Sequence, residues 1–483
     1  MSIKPINRPE DIVFIINPSL WYQNMYPSGL LCLTSYLKDN NIDSIIVDSK
    51  LSSKKITFNQ RLKLIIKHLK KIKPKIIGLS TTNLEFNEVV KINQAIKKIN
   101  RNIFVIIGGS QPTYRAKDFL NNGFKFICIG EGEKTILEFV REIQNQTFNW
   151  EKINGLAWKK SHKSIFNPPR QLMSEAEINE ITSLSYDLID TRYFDINLGI
   201  IRGLPIKGAL LLTTRGCPFN CSYCGCNLIF GRKLRYKTMR NIETEIKYLK
   251  ENYDIEGIWI VDDTFTISQE HILGVCKILK KYKMIWGCQS RVDTINEKII
   301  KIMKESGCVQ VDFGVESGSQ RILDEIIFKR TNIQQIIKAF ELAKKYKLRT
   351  LANFMLGLPT ETYEDLEMTK KLAEKIKADV YLFSIATPLP GTKLYEMVNV
   401  DIKPKEYALL SWNGSPLTEK LNKSKIKNLI KEQRKLSKKF LLRYIMKSVI
   451  SPNNFFILIK MKYKFKRFIF IVKYFNKLIF KHD

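Results

Sequence analysis

A chain of 483 residues is long enough for two to four domains, each able to bury its own core. Hydrophobic residues make up 44% and aromatic residues 11%, which excludes an intrinsically disordered chain. Lysine and arginine number 80 against 47 acids, a formal net charge of 80 − 47 = +33. Such an excess admits anionic substrates, an anionic membrane surface or nucleic acid, to be weighed against lysines spread over solvated faces. Nine cysteines, sparse and odd in number, argue against a disulfide framework. The first residues show no signal-peptide core and no run reaches ~18 apolar residues, so the chain is expected to be cytoplasmic.

In chain order, residues 12–16 form an apolar run expected as a buried strand, and 29–37 read as a helix. A strand is expected over 44–47, a basic amphipathic helix over 61–72, a strand over 75–80, a helix over 88–99 and a strand over 103–107. Residues 126–129 give a further strand, and a helix closes the segment near residue 143. Strands alternating with helices through short loops predict a doubly wound parallel sheet of Rossmann-like type over 1–145. Ligands of such sheets bind at the carboxyl ends of the strands. Those ends carry Ser80-Thr81-Thr82, Gly108-Gly109-Ser110 and Gly130-Glu131-Gly132-Glu133, where glycine lets backbone approach a large ligand.

Residues 146–206 read as a connector containing a small hairpin and the chain-breaking Asn167-Pro168-Pro169. The alternation resumes from 207. Strands are expected over 208–214, 257–261, 284–289, 309–315, 350–356 and 380–386, with helices over 238–252, 271–282, 297–306, 333–346 and 363–376.

The first of these strands runs into Thr213-Thr214-Arg215-Gly216-Cys217-Pro218-Phe219-Asn220-Cys221-Ser222-Tyr223-Cys224. The spacing C-x-x-x-C-x-x-C gathers three soft ligands on one short loop, which suits an iron–sulfur cluster. A structural zinc site would want four ligands, usually as two separated pairs. Cys226 lies only two residues beyond Cys224, and no second pair stands opposite. Cys32, Cys128, Cys226, Cys276, Cys288 and Cys308 read as ordinary buried or half-buried thiols.

The cysteine motif, with Tyr223 before its third cysteine, resembles that of the radical S-adenosylmethionine (SAM) enzymes. Six strand–helix units match the partial TIM-like (βα)6 barrel of that family over 207–400. The segment order of 1–145, with Pro27-Ser28-Gly29-Leu30 early, resembles the cobalamin-binding domain that precedes many such barrels. The nearest groups are the cobalamin-dependent radical SAM methyltransferases and the anaerobic magnesium-protoporphyrin cyclases.

What the resemblance implies is specific. Cys217, Cys221 and Cys224 would hold a 4Fe-4S cluster with one iron open to the amine and carboxylate of SAM. Reductive cleavage of SAM would then give a 5′-deoxyadenosyl radical that abstracts hydrogen from an unactivated carbon. Asp262 and Asp263 stand where the amine of SAM is met, Arg291 where its carboxylate is met, and Glu316 where its ribose is met. Gly357 would pass close to adenine, Tyr223 belongs to the same pocket, and residues 387–392 would line the substrate cavity. Cobalamin would lie against Ser80, Thr81, Gly108, Gly109, Gly130, Glu131 and Gly132. The D-x-H-x-x-G motif is absent, and the chain has only His68, His162, His271 and His482, so no protein histidine would ligate cobalt.

The reaction implied is cobalamin-dependent C-methylation of a small or lipid-like molecule, fed by an electron donor such as flavodoxin or ferredoxin. A non-methylating oxidative cyclase is the alternative. An RNA-modifying methylthiotransferase fits less well, because its N-terminal domain carries three further cysteines and residues 1–200 here hold only Cys32 and Cys128. A non-catalytic cobalamin or cluster sensor is the remaining contrast.

Residues 401–483 form a helical, basic, aromatic-rich extension. Over 441–483, ten Lys or Arg and ten Phe or Tyr accompany one acid, Asp483. Two readings follow: a helical cap with its lysines in solvent, or an interfacial segment on anionic lipid. Nucleic acid is the least favoured partner.

Overall fold

β1 (Ile12–Ile16) is buried at every position, as expected of a strand covered on both faces by helices. It pairs in parallel with β2 (Ser44–Asp48) on one side and β3 (Ile76–Ser80) on the other. β4 (Phe104–Gly108) and β5 (Phe126–Cys128) continue the parallel sheet. The hairpin of β6 (Leu156–Lys160) and β7 (Lys163–Phe166) adds two antiparallel strands, giving the order β2-β1-β3-β4-β5-β6-β7. Residues read as a connector thus complete the first sheet. Strand order reverses between β1 and β3, the switch point at which doubly wound sheets bind ligands.

The computed structural model describes residues 12–17, 25–50, 56–82, 85–197, 199–397, 403–409 and 426–450. They fall into two compact units. The first lies within 1–193, 216–237 and 387–417, the second within 194–215, 238–386 and 418–483.

In the first unit the sheet carries α1 (Ser28–Asp39), α2 (Phe58–Ile72), α3 (Phe86–Ile99), α4 (Ser110–Asn121) and α5 (Glu133–Gln144). On α2, Arg61, Ile65 and Leu69 repeat at four-residue spacing and face inward while its lysines stay outward. Sequence periodicity does not announce α4. Pro112 sits in its first turn, where a missing N–H costs nothing, and Arg115 interrupts the helix at φ −128° and ψ 35°. Val13, Ile15, Ile77, Leu79, Val105 and Ile107 meet Phe86, Ile92 and Phe119 in one core. A short helix, α6 (Glu175–Glu180), opens with a capping box on Ser174 and Glu177.

The second unit starts with β8 (Gly208–Leu211) and the short β9 (Thr214–Arg215). The chain then passes through the cysteine loop of the first unit, including α7 (Cys226–Phe230) and β10 (Arg235–Tyr236). It returns to build β11 (Gly257–Ile260), β12 (Ile285–Ser290), β13 (Cys308–Glu316), β14 (Arg349–Leu356) and β15 (Val380–Ile385). These strands pair in parallel with β8 in sequence order, β8-β11-β12-β13-β14-β15. The crossovers are α8 (Met239–Tyr253), α9 (Gln269–Lys281), α10 (Glu297–Glu305), α11 (Ile333–Lys345) and α12 (Tyr363–Ile376). Each strand, helix and crossover expected of the six-unit barrel is present within two to three residues of its expected bounds, apart from the earlier end of β8.

After α13 (Lys393–Glu396) of the first unit, the last described element is α14 (Ile426–Ile450), in the second unit. Phe440 stacks on Tyr381 with ring centroids 4.0 Å apart, and Gln433 donates to the Phe383 carbonyl at 2.7 Å. α14 therefore covers the end strand β15, which would otherwise present an open edge. Residues 426–440 of the extension are helical and pack on this end strand. The apolar and basic run over 451–483 lies outside the described residues. Among the described residues no helix is long and apolar enough to cross a membrane.

Candidate functional site

The cysteine loop is closed at its neck by backbone. Gly216 has φ +94°, and a Cβ there would lie 2.4 Å from the Lys233 carbonyl oxygen, so the position admits only glycine. Cys217 N donates to the Gly231 carbonyl at 3.2 Å, and Cys224 N donates to the Cys221 carbonyl at 3.1 Å. Asn227 Nδ2 holds the Phe219 carbonyl at 2.6 Å. Cys217 is buried, Cys221 and Tyr223 are half-buried, and Cys224 is exposed. All nine cysteines are thiols. Among the described residues no three His, Cys, Asp or Glu side chains converge as the ligands of a single ion do. A 4Fe-4S cluster takes one thiolate at each iron, and three cysteines on one constrained loop can serve three of its four irons.

Four of the remaining thiols are poor ligands. Burial pushes Cys128 up to about 12 and Cys276 up to about 11, and it raises Cys288 and Cys308 as well. The nucleophilic and metal-binding thiolate form is therefore disfavoured at each.

This loop packs on the first sheet within one unit. Tyr114 of α4 donates its hydroxyl to the Gly225 carbonyl at 2.8 Å, one residue beyond Cys224. A Cβ at Gly225 would meet that hydroxyl at 2.7 Å. Arg235 Nη1 donates to both oxygens of Glu131 at 2.9 Å, and Met173 N donates to Glu131 Oε2 at 2.8 Å. Both charged side chains are 4% exposed. Glu131 was expected against cobalamin; its carboxylate instead ties the end of β5 to the strand that leaves the cysteine loop.

The ends of β3 and β4 and the glycines after β5 form an uncharged cradle. Ser80 pairs in register with Gly108, and Thr81 N donates to the Gly108 carbonyl at 3.1 Å. Gly109, at φ +111°, brings its backbone so close that a Cβ would stand 2.5 Å from the Thr81 carbonyl oxygen. Gly130 has φ +78° and faces open space, and Gly132 is the N-cap of α5. Beside them Gln111 is fully buried, and among the described residues neither its Oε1 nor its Nε2 has a hydrogen-bond partner. A tight glycine cradle with an orphaned buried amide fits a large ligand rich in amides, as cobalamin is. His68 lies within α2 and His162 at the turn between β6 and β7.

In the second unit the strand ends are charged, and much of that charge is already partnered. Asp262, 1% exposed, accepts from Thr213 N at 2.6 Å and Thr214 N at 3.1 Å, and from the Thr213 hydroxyl. That hydroxyl also meets His271 Nε2 at 2.8 Å. Burial pushes Asp262 up to about 6 and His271 down to about 4. Asp262 was expected to meet the amine of SAM; its oxygens instead fix the end of β8, four residues before Cys217. The neighbouring Asp263 is exposed.

Arg291 is likewise already partnered. Its Nε and Nη2 form a fork on Asp293 at 2.9 and 2.7 Å, and Nη2 also reaches the Lys329 carbonyl at 2.7 Å. Glu316, at φ +71° on a bulge between β13 and β14, accepts from Lys329 Nζ at 2.8 Å. The two side chains are 8% and 3% exposed. A Cβ at Gly314 would lie 2.5 Å from Glu316 Oε1 and 2.6 Å from Lys329 Nζ, so that glycine makes room for the pair. Non-glycine residues held in the left-handed region cluster where a side chain must be aimed. Gly357 has φ +78° after β14, and its N–H donates to Glu361 at 2.6 Å.

Sequence reading missed Lys329, Thr213, His271, Tyr114 and Gln111. Gln111 alone had a local signal, following Gly108-Gly109-Ser110 at a strand end.

The comparisons agree with this geometry. Residues 211–373 match the radical SAM superfamily and residues 21–140 the B12 binding domain. The chain is 35% identical over 374 residues to an uncharacterised methyltransferase of Pyrococcus horikoshii, spanning 77% of this chain and 78% of that one. It is 26% identical over 384 residues to the anaerobic magnesium-protoporphyrin IX monomethyl ester cyclase of Rubrivivax gelatinosus, spanning 77% and 66%. Its fold matches the radical SAM methyltransferase TsrM of Kitasatospora setae, solved with cobalamin and a 4Fe-4S cluster bound. The TM-score is 0.66 at 17% identity, covering 80% of this chain and 74% of that one. The chain belongs to the radical SAM superfamily, in the group whose barrel follows a B12-binding domain, and its cofactors are a 4Fe-4S cluster, SAM and cobalamin.

Proposed function

We propose that this enzyme transfers a methyl group from cobalamin to an unactivated carbon of a small or lipid-like molecule. The observation that carries the reading is the packing of the cysteine loop onto the cobalamin-type sheet through Tyr114 and Gly225 in one compact unit. A cluster loop built into the same body as a corrinoid cradle suits two cofactors serving one reaction.

Cys217, Cys221 and Cys224 supply the three thiolates of the cluster, leaving one iron without a protein ligand. Asp263 is positioned in sequence to take the amine of SAM, Glu316 its ribose hydroxyls and Gly357 its adenine, with Tyr223 beside the cluster. Arg291 takes the SAM carboxylate by sharing or exchanging its fork on Asp293. Ser80, Thr81, Gly108, Gly109, Gly130 and Gly132 offer backbone and small polar groups to cobalamin without a histidine ligand to cobalt. When bound, these groups supply a carbon-centred radical from SAM and a methyl group from the corrinoid. An external one-electron donor of the flavodoxin or ferredoxin class is required, and the basic surface, with a net charge of +33, suits an acidic protein of that kind.

The test is anaerobic reconstitution with iron, sulfide, cobalamin and SAM carrying a 13C-labelled methyl group. Cluster and corrinoid absorption and formation of 5′-deoxyadenosine are expected, with the label appearing in product. Absence of a cluster, or a cluster that survives Cys221→Ala unchanged, would overturn the reading. The relative that is a cyclase favours one other outcome. A product that has lost hydrogens and gained no labelled methyl would assign oxidative cyclisation instead.

A further inference from the structure

Gln111 occupies the second position of α4, directly beyond the carboxyl end of β4, and it is 0% exposed. Both polar atoms of its amide are buried with no hydrogen-bond partner among the described residues. Leaving such an amide unsatisfied is costly, and an apolar side chain of the same length would fill the space without that penalty. Protein interiors keep such a group where something outside the fold satisfies it.

The surroundings say what that is. The N-cap of α4 is Gly109, which offers no side-chain cap, so the first-turn N–H groups and the helix dipole favour an electron-rich partner. Gly109 is pressed against the Thr81 carbonyl, and Thr113 uses its hydroxyl to hold Gly130 N at 3.1 Å. Three residues after Gln111, on the same helix face, Tyr114 reaches the Gly225 carbonyl beside the cluster cysteines. The amide therefore stands on the first turn of a helix flanked by the glycine cradle and the cysteine loop.

We infer that Gln111 is a cobalamin-binding residue whose Nε2 donates a hydrogen bond to an acceptor oxygen of the corrinoid. This rests on the cobalamin reading given above. Two parts of cobalamin have the required chemistry: the side-arm amide carbonyls of the ring, and the phosphate and ribose oxygens of the nucleotide tail. Cobinamide keeps the first and lacks the second.

The test uses the full chain as wild type, Gln111→Leu and Gln111→Met. Binding of hydroxocobalamin and of cobinamide is measured by equilibrium dialysis, together with the thermal midpoint of each protein before corrinoid is added. Both variants are expected to raise that midpoint and to weaken cobalamin binding by about tenfold or more. An equal loss for cobinamide assigns a ring amide, and unchanged cobinamide affinity assigns the nucleotide tail. Unchanged cobalamin affinity in both variants would overturn the inference, as would a lowered midpoint that accounts for any lost binding. If wild type binds no cobalamin, the cobalamin reading itself fails.

Discussion

The two main sheets of this chain prepare the ends of their parallel strands in opposite ways. In the second unit every crossover helix is capped by a side chain: Thr238, Ser268, Asn296, Asn332 and Thr362 each accept from a first-turn N–H. In the first, of the helices that follow β1 to β5, α1, α3, α4 and α5 start after Pro27, Glu85, Gly109 and Gly132 with no side-chain cap, and α2 alone of these five is capped, by Thr57. The barrel-type sheet thus satisfies its helices internally and presents charged side chains, many already paired. The cobalamin-type sheet presents glycine, backbone and an unpaired amide. A ligand with several fixed charges such as SAM is recognised by charged side chains, whereas a broad amide-rich ligand is recognised by close backbone approach. The capping pattern follows that division.

The contrast can be broken most forcefully at the buried ion pair beside the glycine cradle of the first sheet. Arg235 and Glu131 are desolvated together, so removing either partner strands a charge, at a cost of about 3–5 kcal/mol. Glu131→Gln or Arg235→Met should lower the thermal midpoint sharply. The double variant should recover most of the loss, because an apolar or neutral pair avoids the desolvation penalty. Cobalamin affinity of the double variant should match wild type, since the structure gives Glu131 to Arg235. If the double variant folds and has lost cobalamin, Glu131 touches the cofactor after all.

The barrel's charged end makes the next largest claim. Lys329→Met leaves Glu316 buried without its cation and should weaken SAM binding by tenfold or more, while cobalamin stoichiometry stays unchanged. Lys329→Arg should restore much of the affinity. Direct SAM binding by equilibrium dialysis separates these outcomes from any effect on turnover. A Lys329→Met protein that binds SAM as wild type would show the pair to be structural.

A smaller effect divides two adjacent carboxylates. Asp263→Asn should weaken SAM binding several-fold and leave the thermal midpoint alone, because the side chain is exposed. Asp262→Asn should do the reverse, lowering the midpoint through the lost bonds to Thr213 and Thr214. The same effect on SAM from both would erase the distinction that burial draws between them.

That distinction marks where sequence reading stops. The strand–helix alternation, the cysteine loop and the positions of the strand ends were legible because they rest on local spacing and apolar runs. α4 was not, since Pro112 and a break at Arg115 blur its period. Nor could sequence say which of Asp262 and Asp263 faces inward, because both lie at one strand end. The partners of Arg291 and Glu316 also escaped it. Asp293 was visible two residues away, but Lys329 arrives from thirteen residues beyond Glu316 through an irregular turn with Phe328 and Arg330 at positive φ. Long-range pairing of charges is a property of packing, and periodicity does not report it.

The smallest expected effect is one of pH. Burial pushes Glu361, behind Gly357, from an ordinary 4.5 up to about 7. A carboxyl group raised on folding binds its proton more tightly in the folded state, so its contribution to stability is complete below about 4.5. That contribution is lost as pH rises through about 7. The thermal midpoint of wild type should therefore carry a component that falls across this window. Glu361→Gln keeps the acceptor for Gly357 N–H and cannot ionise, so its midpoint should fall less between pH 5 and 7 than that of wild type. Asp262 and Asp312, both pushed up to about 6 by burial, remain in the variant and leave a residual slope at the acid end. Calorimetric scans at half-unit intervals would resolve the difference. Parallel curves for the two proteins would mean that Glu361 ionises as an exposed carboxylate does, and that the barrel's strand ends are wetter than their packing implies.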